Sequence, residues 1–399
     1  MLSQSLSRGP ITLIPPETLT HIFWTAVTSY NVYKPSEFYR RYACITQLRL
    51  VCRLWDHVAT STPYLWDRFA IDASTHTSRH PPLQVVDLWL QRAGTELPLS
   101  ILVSMPSDDN SDRFCYMEDI FKKLSLHIRR WQELWFHSDA GVSGFPMNLY
   151  RARKLTRLSI DAGSLDEEAT EEIGPAFRNF HGPLRDLNLE GATYDWIFSW
   201  NKEYGVRLNR LTGLKLEYEG WMQGVLNILS GAPNLTWAII EADGNWSQPE
   251  YHVFDNTLGA RLSKLRYLQL HIQDANLDLF RWLQTRLLET LDITVSWSQL
   301  PDHEKDPAPL LNFIERSEHI LLDCRIEIPG LPSNWVTAFF RSPRLSIILR
   351  YRICNVAVDS NLMHDINSIM PPVIRPRLTM APEQVPGYYS LGWAINGGR

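Results

Sequence analysis

The sequence predicts an α/β chain: a small helical module in front, then an irregular solenoid of parallel strands joined by helices and turns. Three observations predict it. Two stretches near the N-terminus space their apolar residues at three- and four-residue steps, the period of a helix with one covered face. From about residue 130 a six-residue phrase recurs, apolar at its first, fourth and sixth positions, as a strand with one covered side requires. Its fourth positions are Leu134, Leu158, Leu187, Leu214, Ala238, Leu268 and Leu291, so the spacings are 24, 29, 27, 24, 30 and 23 residues. That length suits one strand plus its return, and one such unit cannot bury its own face without a neighbour.

The elements follow in order. Residues 13–27 read LIPPETLTHIFWTAV. Pro15 and Pro16 fix φ where the first helical turn needs no donor, and Glu17 suits the helix dipole. Leu19, Ile22, Phe23, Ala26 and Val27 then form one stripe. Residues 48–66 read LRLVCRLWDHVATSTPYLW. There Leu48, Val51, Cys52, Trp55, Val58 and Ala59 predict a second helix ending at Thr62-Pro63. The polar segment between Val27 and Leu48 reads as an insertion. Two helices this short must pack on each other and on something further. Leu83 to Ala93 then predicts a helix and Leu97 to Val103 a strand, an atypical first unit.

The repeated phrases are WQELWF at 131–136, LTRLSI at 155–160, LRDLNL at 184–189 and LTGLKL at 211–216. LTWAII at 235–240, LRYLQL at 265–270 and LETLDI at 288–293 continue them. Trp221 to Leu229 and Asn276 to Thr285 suit helices or turns between strands. Alternation at Ile320, Leu322, Cys324, Ile326 and Ile328, and again at Leu345, Ile347, Leu349 and Tyr351, predicts two more strands. Pro371, Pro372, Pro376, Pro382 and Pro386 mark an extended tail or terminal cap.

Ile14-Pro15-Pro16-Glu17, then Leu48, Val51, Cys52, Arg53 and Trp55, then Leu65-Trp66, together resemble the F-box, most nearly that of the large F-box families of mushroom-forming fungi. The repeated phrase is similar to that of leucine-rich repeats, in degenerate form. Where those repeats carry Asn or Cys beyond the strand, this chain has Gly163, Ala192 and Gln273, with Gly220 and Gly244 one residue late. An F-box followed by such repeats is the order of one class of F-box proteins. The resemblance divides the chain into a helical module at 10–70, a solenoid at 80–355 and a proline-rich tail or cap at 370–399. It implies a non-catalytic substrate-recognition subunit of a Skp–cullin–F-box type ubiquitin ligase. Pro15, Ile22, Leu48, Val51, Trp55 and Trp66 would then meet a Skp-type adaptor and, through it, a cullin. The alternative is a leucine-rich scaffold unconnected with a ligase, its helices serving only as a cap.

On the strands, variable positions face the concave side. Asp161, Glu190, Glu217 and Glu241 follow four successive phrases. In register about 4.8 Å apart they would repel one another, unless a basic segment of a client protein lies on them or the strand ends splay into solvent. Trp237 and Tyr267, in adjacent units, are either anchors for that client or fillers above an open sheet.

Composition excludes several classes. A net charge of −5 over 399 residues argues against a nucleic-acid binder. No apolar run reaches membrane-spanning length, and no signal peptide is visible. The five scattered cysteines form no CxxC pair, which fits a reducing compartment, cytoplasmic or nuclear. No phosphate-binding glycine loop, HExxH or G-x-S-x-G occurs, so no cofactor, metal site or catalytic residue is expected.

Overall fold

The computed structural model describes residues 14–29, 35–73, 81–105, 111–138, 145, 148–165, 180–193, 207–219, 222–243, 259–273, 277–296, 308–317, 321–331, 333–341, 350–357, 364, 368, 377–379 and 388–394. The fold is α/β. Two compact units divide it: Met1–Ser164 with Glu171–Pro183, and Leu165–Thr170 with Leu184–Arg399.

The first unit opens with three helices, α1 (Pro16–Thr28), α2 (Pro35–Val51) and α3 (Arg53–Ser61). On α1, Leu19, Phe23 and Val27 are buried, one turn apart in succession. The single second helix expected from Leu48 to Ala59 is in fact two. Cys52 is extended, at φ −164° and ψ 170°, and α3 starts afresh when Asp56 N–H donates to the Cys52 carbonyl at 2.9 Å. Most of the segment expected as a polar insertion is helix α2. Its buried positions are Phe38, Arg41 and Ile45, at helical steps, and the arginine in the middle hides the stripe from a hydrophobicity reading.

These helices do not stand alone. After a single 3-10 turn at Pro63–Leu65 come strand β1 (Arg68–Asp72) and helix α4 (Leu83–Arg92). Trp89 of α4 is the centre of an aromatic cluster, its ring 5.0 Å from Tyr42, 6.0 Å from Phe38 and 6.1 Å from Phe69. The helical module therefore shares a core with the strands beside it. β2 (Leu99–Ser104), α5 (Ser111–Ser125), β3 (Trp131–His137) and β4 (Arg157–Leu165) complete the unit. Strands β1 to β4 are parallel and pair in chain order, with Phe69 beside Ile101, Ile101 beside Leu134, and Leu134 beside Leu158.

In the second unit, β5 (Asp186–Thr193), β6 (Gly213–Glu219), β7 (Trp237–Asp243), β9 (Tyr267–Gln273), β11 (Thr290–Ser296), β12 (Asp323–Leu331) and β13 (Arg350–Ala357) run parallel in that order. The five phrases from residue 184 onward each become one of these strands, as those at 131–136 and 155–160 become β3 and β4. Two buried columns cross them: Leu187, Leu214, Ala238, Leu268, Leu291 and Cys324, and beside it Leu189, Leu216, Ile240, Leu270, Ile293 and Ile326. Burial of six side chains per column drives the stacking. A second ladder joins units ahead of the strands. Thr212, Thr236, Arg266, Glu289 and Leu322 each donate a backbone N–H to the carbonyl of the matching residue one unit earlier, at 2.7–2.8 Å.

Helices α6 (Met222–Gly231), α7 (Leu279–Trp282), α8 (Ala308–Arg316) and α9 (Ser333–Arg341) fill returns between strands. Of the helix or turn expected over Asn276–Thr285, only the four residues of α7 are helix. Leu283–Thr285 is strand β10 instead, paired in parallel with β8 (Ala260–Leu262) as a separate two-stranded sheet. Ile320 and residues 345–349 lie outside the described residues. Leu322 precedes β12 and is exposed, so that strand's buried alternation begins at Cys324. The five tail prolines also lie outside the described residues. Between and beyond them, β14 (Arg377–Thr379) and β15 (Tyr388–Ala394) form strands, β15 antiparallel to both β13 and β14. Among the described residues no helix is long and apolar enough to cross a membrane.

Candidate functional site

On the helical module, burial of one stripe leaves other apolar residues on the surface. Ile22 is 42% exposed, Trp24 46%, Val51 49% and Leu50 80%. Such side chains remain in water only at a cost in apolar surface, and several on one small module make a candidate docking face. Pro15 is exposed, Leu48 half-buried. Trp55 is half-buried too: its ring meets Phe23 edge-on at 5.0 Å, and its Nε1–H has no acceptor among the described residues. An Arg49–Asp56 ion pair at 2.7 Å fixes the end of α2 against α3, and so presents Leu50 and Val51 at a held corner.

Trp66 is the exception among the residues expected at this face. It is 3% exposed, its Nε1 donates to the Ala59 carbonyl at 2.8 Å, and the Arg92 guanidinium covers its ring at 4.5 Å. Trp66 belongs to the core. Trp24, whose helical stripe makes it a core or adaptor contact in the sequence, stands at the surface, as does Leu50, which the sequence does not single out. The available signal was their phase: each is a large apolar residue off the buried stripe of its helix.

A second candidate surface is the sheet face of the second unit opposite its buried columns. Glu217 stands beside Glu241, and Glu241 beside His271. Of the four carboxylates expected in a column, Glu217 and Glu241 are in register within the second unit. Asp161 belongs to the first unit, where its Oδ2 meets His137 Nδ1 at 2.6 Å. Glu190 lies at a register shift between Leu189 and Ala192, where Gly191 takes φ 74°. Only glycine adopts that conformation without strain. Lys215 answers the remaining charge. Its Nζ meets Glu190 Oε1 at 2.6 Å; burial alone would lower its pKa, but Glu190, Glu241 and Glu217 outweigh it and hold the ammonium above its ordinary value. Repulsion along the column is thus offset within the chain.

Trp237 and Tyr267 are side by side on β7 and β9, both half-exposed. The Trp237 ring lies over Gly213 of the neighbouring strand, where any side chain would overlap it. The Tyr267 hydroxyl donates to Gln269 Oε1 at 2.7 Å. Burial, then the nearby Asp292 and Asp323 carboxylates, push its phenol pKa up. Asp292 is itself raised, chiefly by burial and further by Asp323 and Glu327, against the opposing pull of Arg325 at 3.7 Å. Two aromatic faces beside a group of carboxylates make a surface suited to cationic side chains. The sequence places Asp292 with the aromatics on the concave side but does not single out Asp323, which becomes a neighbour only once the register is known.

No protein-family model matches the chain, and no curated protein matches it.

Proposed function

We propose that the chain is a substrate-recognition subunit of a Skp–cullin–F-box type ubiquitin ligase. One observation carries the reading: Ile22, Trp24, Leu50 and Val51 are left in water on a three-helix module that carries the F-box-like motif. Apolar contact with a Skp-type adaptor would cover them. The parallel strands form a degenerate leucine-rich array whose open face, around Trp237 and Tyr267, holds a client protein through a basic segment. The subunit supplies position, raising the effective concentration of client lysines near a charged ubiquitin-conjugating enzyme; the thioester chemistry lies elsewhere.

Co-purification with a Skp-type adaptor tests the docking face. Leu50→Glu with Val51→Glu alters exposed positions, so stability changes little, while adaptor capture falls at least tenfold. Failure of the unaltered chain to retain adaptor, or equal retention by the folded double variant, overturns the reading. The scaffold alternative draws on a different observation, the aromatic packing of Phe38 and Tyr42 onto Trp89. In that case the helices only cap the array, and no adaptor is captured by either protein.

A further inference from the structure

Ahead of β6, β7 and β9 the chain makes three turns of one design. Leu211, Leu235 and Leu265 each donate a backbone N–H to the carbonyl three residues earlier, that of Leu208, Ala232 and Leu262, at 2.9–3.2 Å. All six of these side chains are buried. The strands that follow are in register, so equivalent positions of the turns come side by side. Arg207, Gly231 and Arg261 form one row, and Arg210, Asn234 and Lys264 form a second.

Charge is unevenly spread over these rows. Arg207, Arg210, Arg261 and Lys264 are all exposed. Among the described residues, no side-chain hydrogen bond or ion pair engages the three arginines. Lys264 has only a neutral partner: its Nζ donates to Asn234 Oδ1 at 2.7 Å, and Asn234 Nδ2 donates to the Asn209 carbonyl at 2.7 Å. That relay ties the ammonium across the middle turn to the first. Residues 207–212, 231–236 and 260–266 include no carboxylate. On the flanking turns the charges cancel, since Glu289 is taken by Arg266 at 2.6 Å and Arg185 is followed directly by Asp186. The C-terminus of α6 at Gly231 contributes roughly half a negative charge, which four full positive charges exceed. A chain of net charge −5 thus carries one locally cationic edge.

The cations stand in two banks with a neutral turn between them. Adjacent strands lie about 4.8 Å apart, so the banks ahead of β6 and β9 are separated by about 10 Å. An extended peptide advances about 3.3 Å per residue, so carboxylates three residues apart reach both banks. Like charges gathered on one edge repel, and an anionic partner relieves that repulsion. No aromatic side chain stands on the three turns for a base to stack on, and their leucines are buried. A nucleic acid or a lipid surface would therefore find only bare charge there.

We infer that this edge binds an acidic segment of a protein, held extended with Asp or Glu at about every third residue. Its carboxylates pair with Arg207 and Arg210 on one bank and with Arg261 and Lys264 on the other. The inference is independent of the ligase reading. None of the four cations belongs to either candidate surface, and the open sheet face favours a partner of the opposite charge.

Fluorescence anisotropy of labelled probes titrated with the full chain tests it. The probes are a twelve-residue peptide with glutamate at every third position among serine and glycine, its glutamine counterpart, and an oligouridylate of equal charge. Saturable binding of the glutamate peptide, at least tenfold tighter than the glutamine peptide and weakening as salt rises, supports the inference. Arg207→Gln with Arg210→Gln should weaken that binding at least tenfold and leave the melting temperature unchanged, since neither side chain is engaged. Should the pair disturb its turn, Arg261→Gln on the opposite bank serves instead and should weaken binding several-fold. Absence of saturable binding by the glutamate peptide, equal binding of the glutamine peptide, or affinity unchanged in both folded variants overturns the inference. Tighter binding of the oligouridylate than of the glutamate peptide overturns it as well, assigning the edge to nucleic acid.

Discussion

Arg41 is buried on α2, where its Nη2 reaches the Tyr64 carbonyl at 3.3 Å and Asp67 Oδ1 at 3.4 Å. Burial lowers its pKa, with Asp67 acting against that fall, and burial likewise raises Asp67 against the pull of Arg41. Removing one partner of such a pair strands the other charge, so Arg41→Ala should cost about 3–5 kcal/mol in urea unfolding. The pH dependence has a definite sign. Folded Asp67 keeps its proton to higher pH than the unfolded chain does, so folding is favoured at low pH and loses that contribution as pH rises from 3.8 through the raised value. The stability difference between the unaltered chain and Asp67→Asn should therefore decline across that window and stay level above it. A difference independent of pH would show that burial does not perturb this carboxyl. Gly213 makes a prediction of another kind. Gly213→Ala drives the Trp237 ring off its neighbour strand, at a cost of roughly 1–3 kcal/mol from overpacking. The change in near-ultraviolet circular dichroism should vanish when Trp237 is already Phe.

The legibility of each element depended on how its pattern was carried. Phrases such as LRYLQL at 265–270 were readable because alternate leucines are both the signal and the cause of burial: Leu268 and Leu270 are fully covered. Helix α1 was readable for the same reason, its buried stripe holding only Leu19, Phe23 and Val27. Phe23→Ala should thus cost about 3–5 kcal/mol and be seen as an early loss of helix on heating. By contrast α2 was obscured by its buried arginine, whose partner is 26 residues distant in sequence. The break at Cys52 carries no proline or glycine to announce it. At the candidate docking face, Ile22 and Val51 were legible as apolar residues of the F-box-like pattern, but exposure was not, since periodicity cannot say which apolar side chain a chain leaves uncovered. Trp66 shows the opposite failure, a motif residue whose indole N–H found an acceptor within its own fold. Lys215 was unreadable as the counter-charge to Glu190 because that pairing needs two adjacent strands and a bulge.

At the scale of the whole chain, each unit is held by nearest-neighbour strand contacts, so stability is close to a sum over strands and their interfaces. The last parallel strand, β13, would present unpaired backbone if nothing lay on its outer side. An exposed edge of that kind recruits other chains. Removing residues 377–399 takes away β14 and β15 and leaves that edge open. The shortened protein should self-associate with rising concentration in sedimentation velocity runs, while the full chain does not. Equal behaviour of the two would mean that β15 is not what protects the edge.

The reversal of direction at β15 also constrains how a chain of this design can change in length over generations. Duplicated strand-and-return segments can enter among β5 to β12, where every junction is parallel and interchangeable. At the C-terminal side β15 already pairs with β13 on one edge and β14 on the other, so a further copy cannot add to β13 without displacing it. Homologous chains of differing size should therefore gain or lose copies in the interior and keep the reversed closing strand.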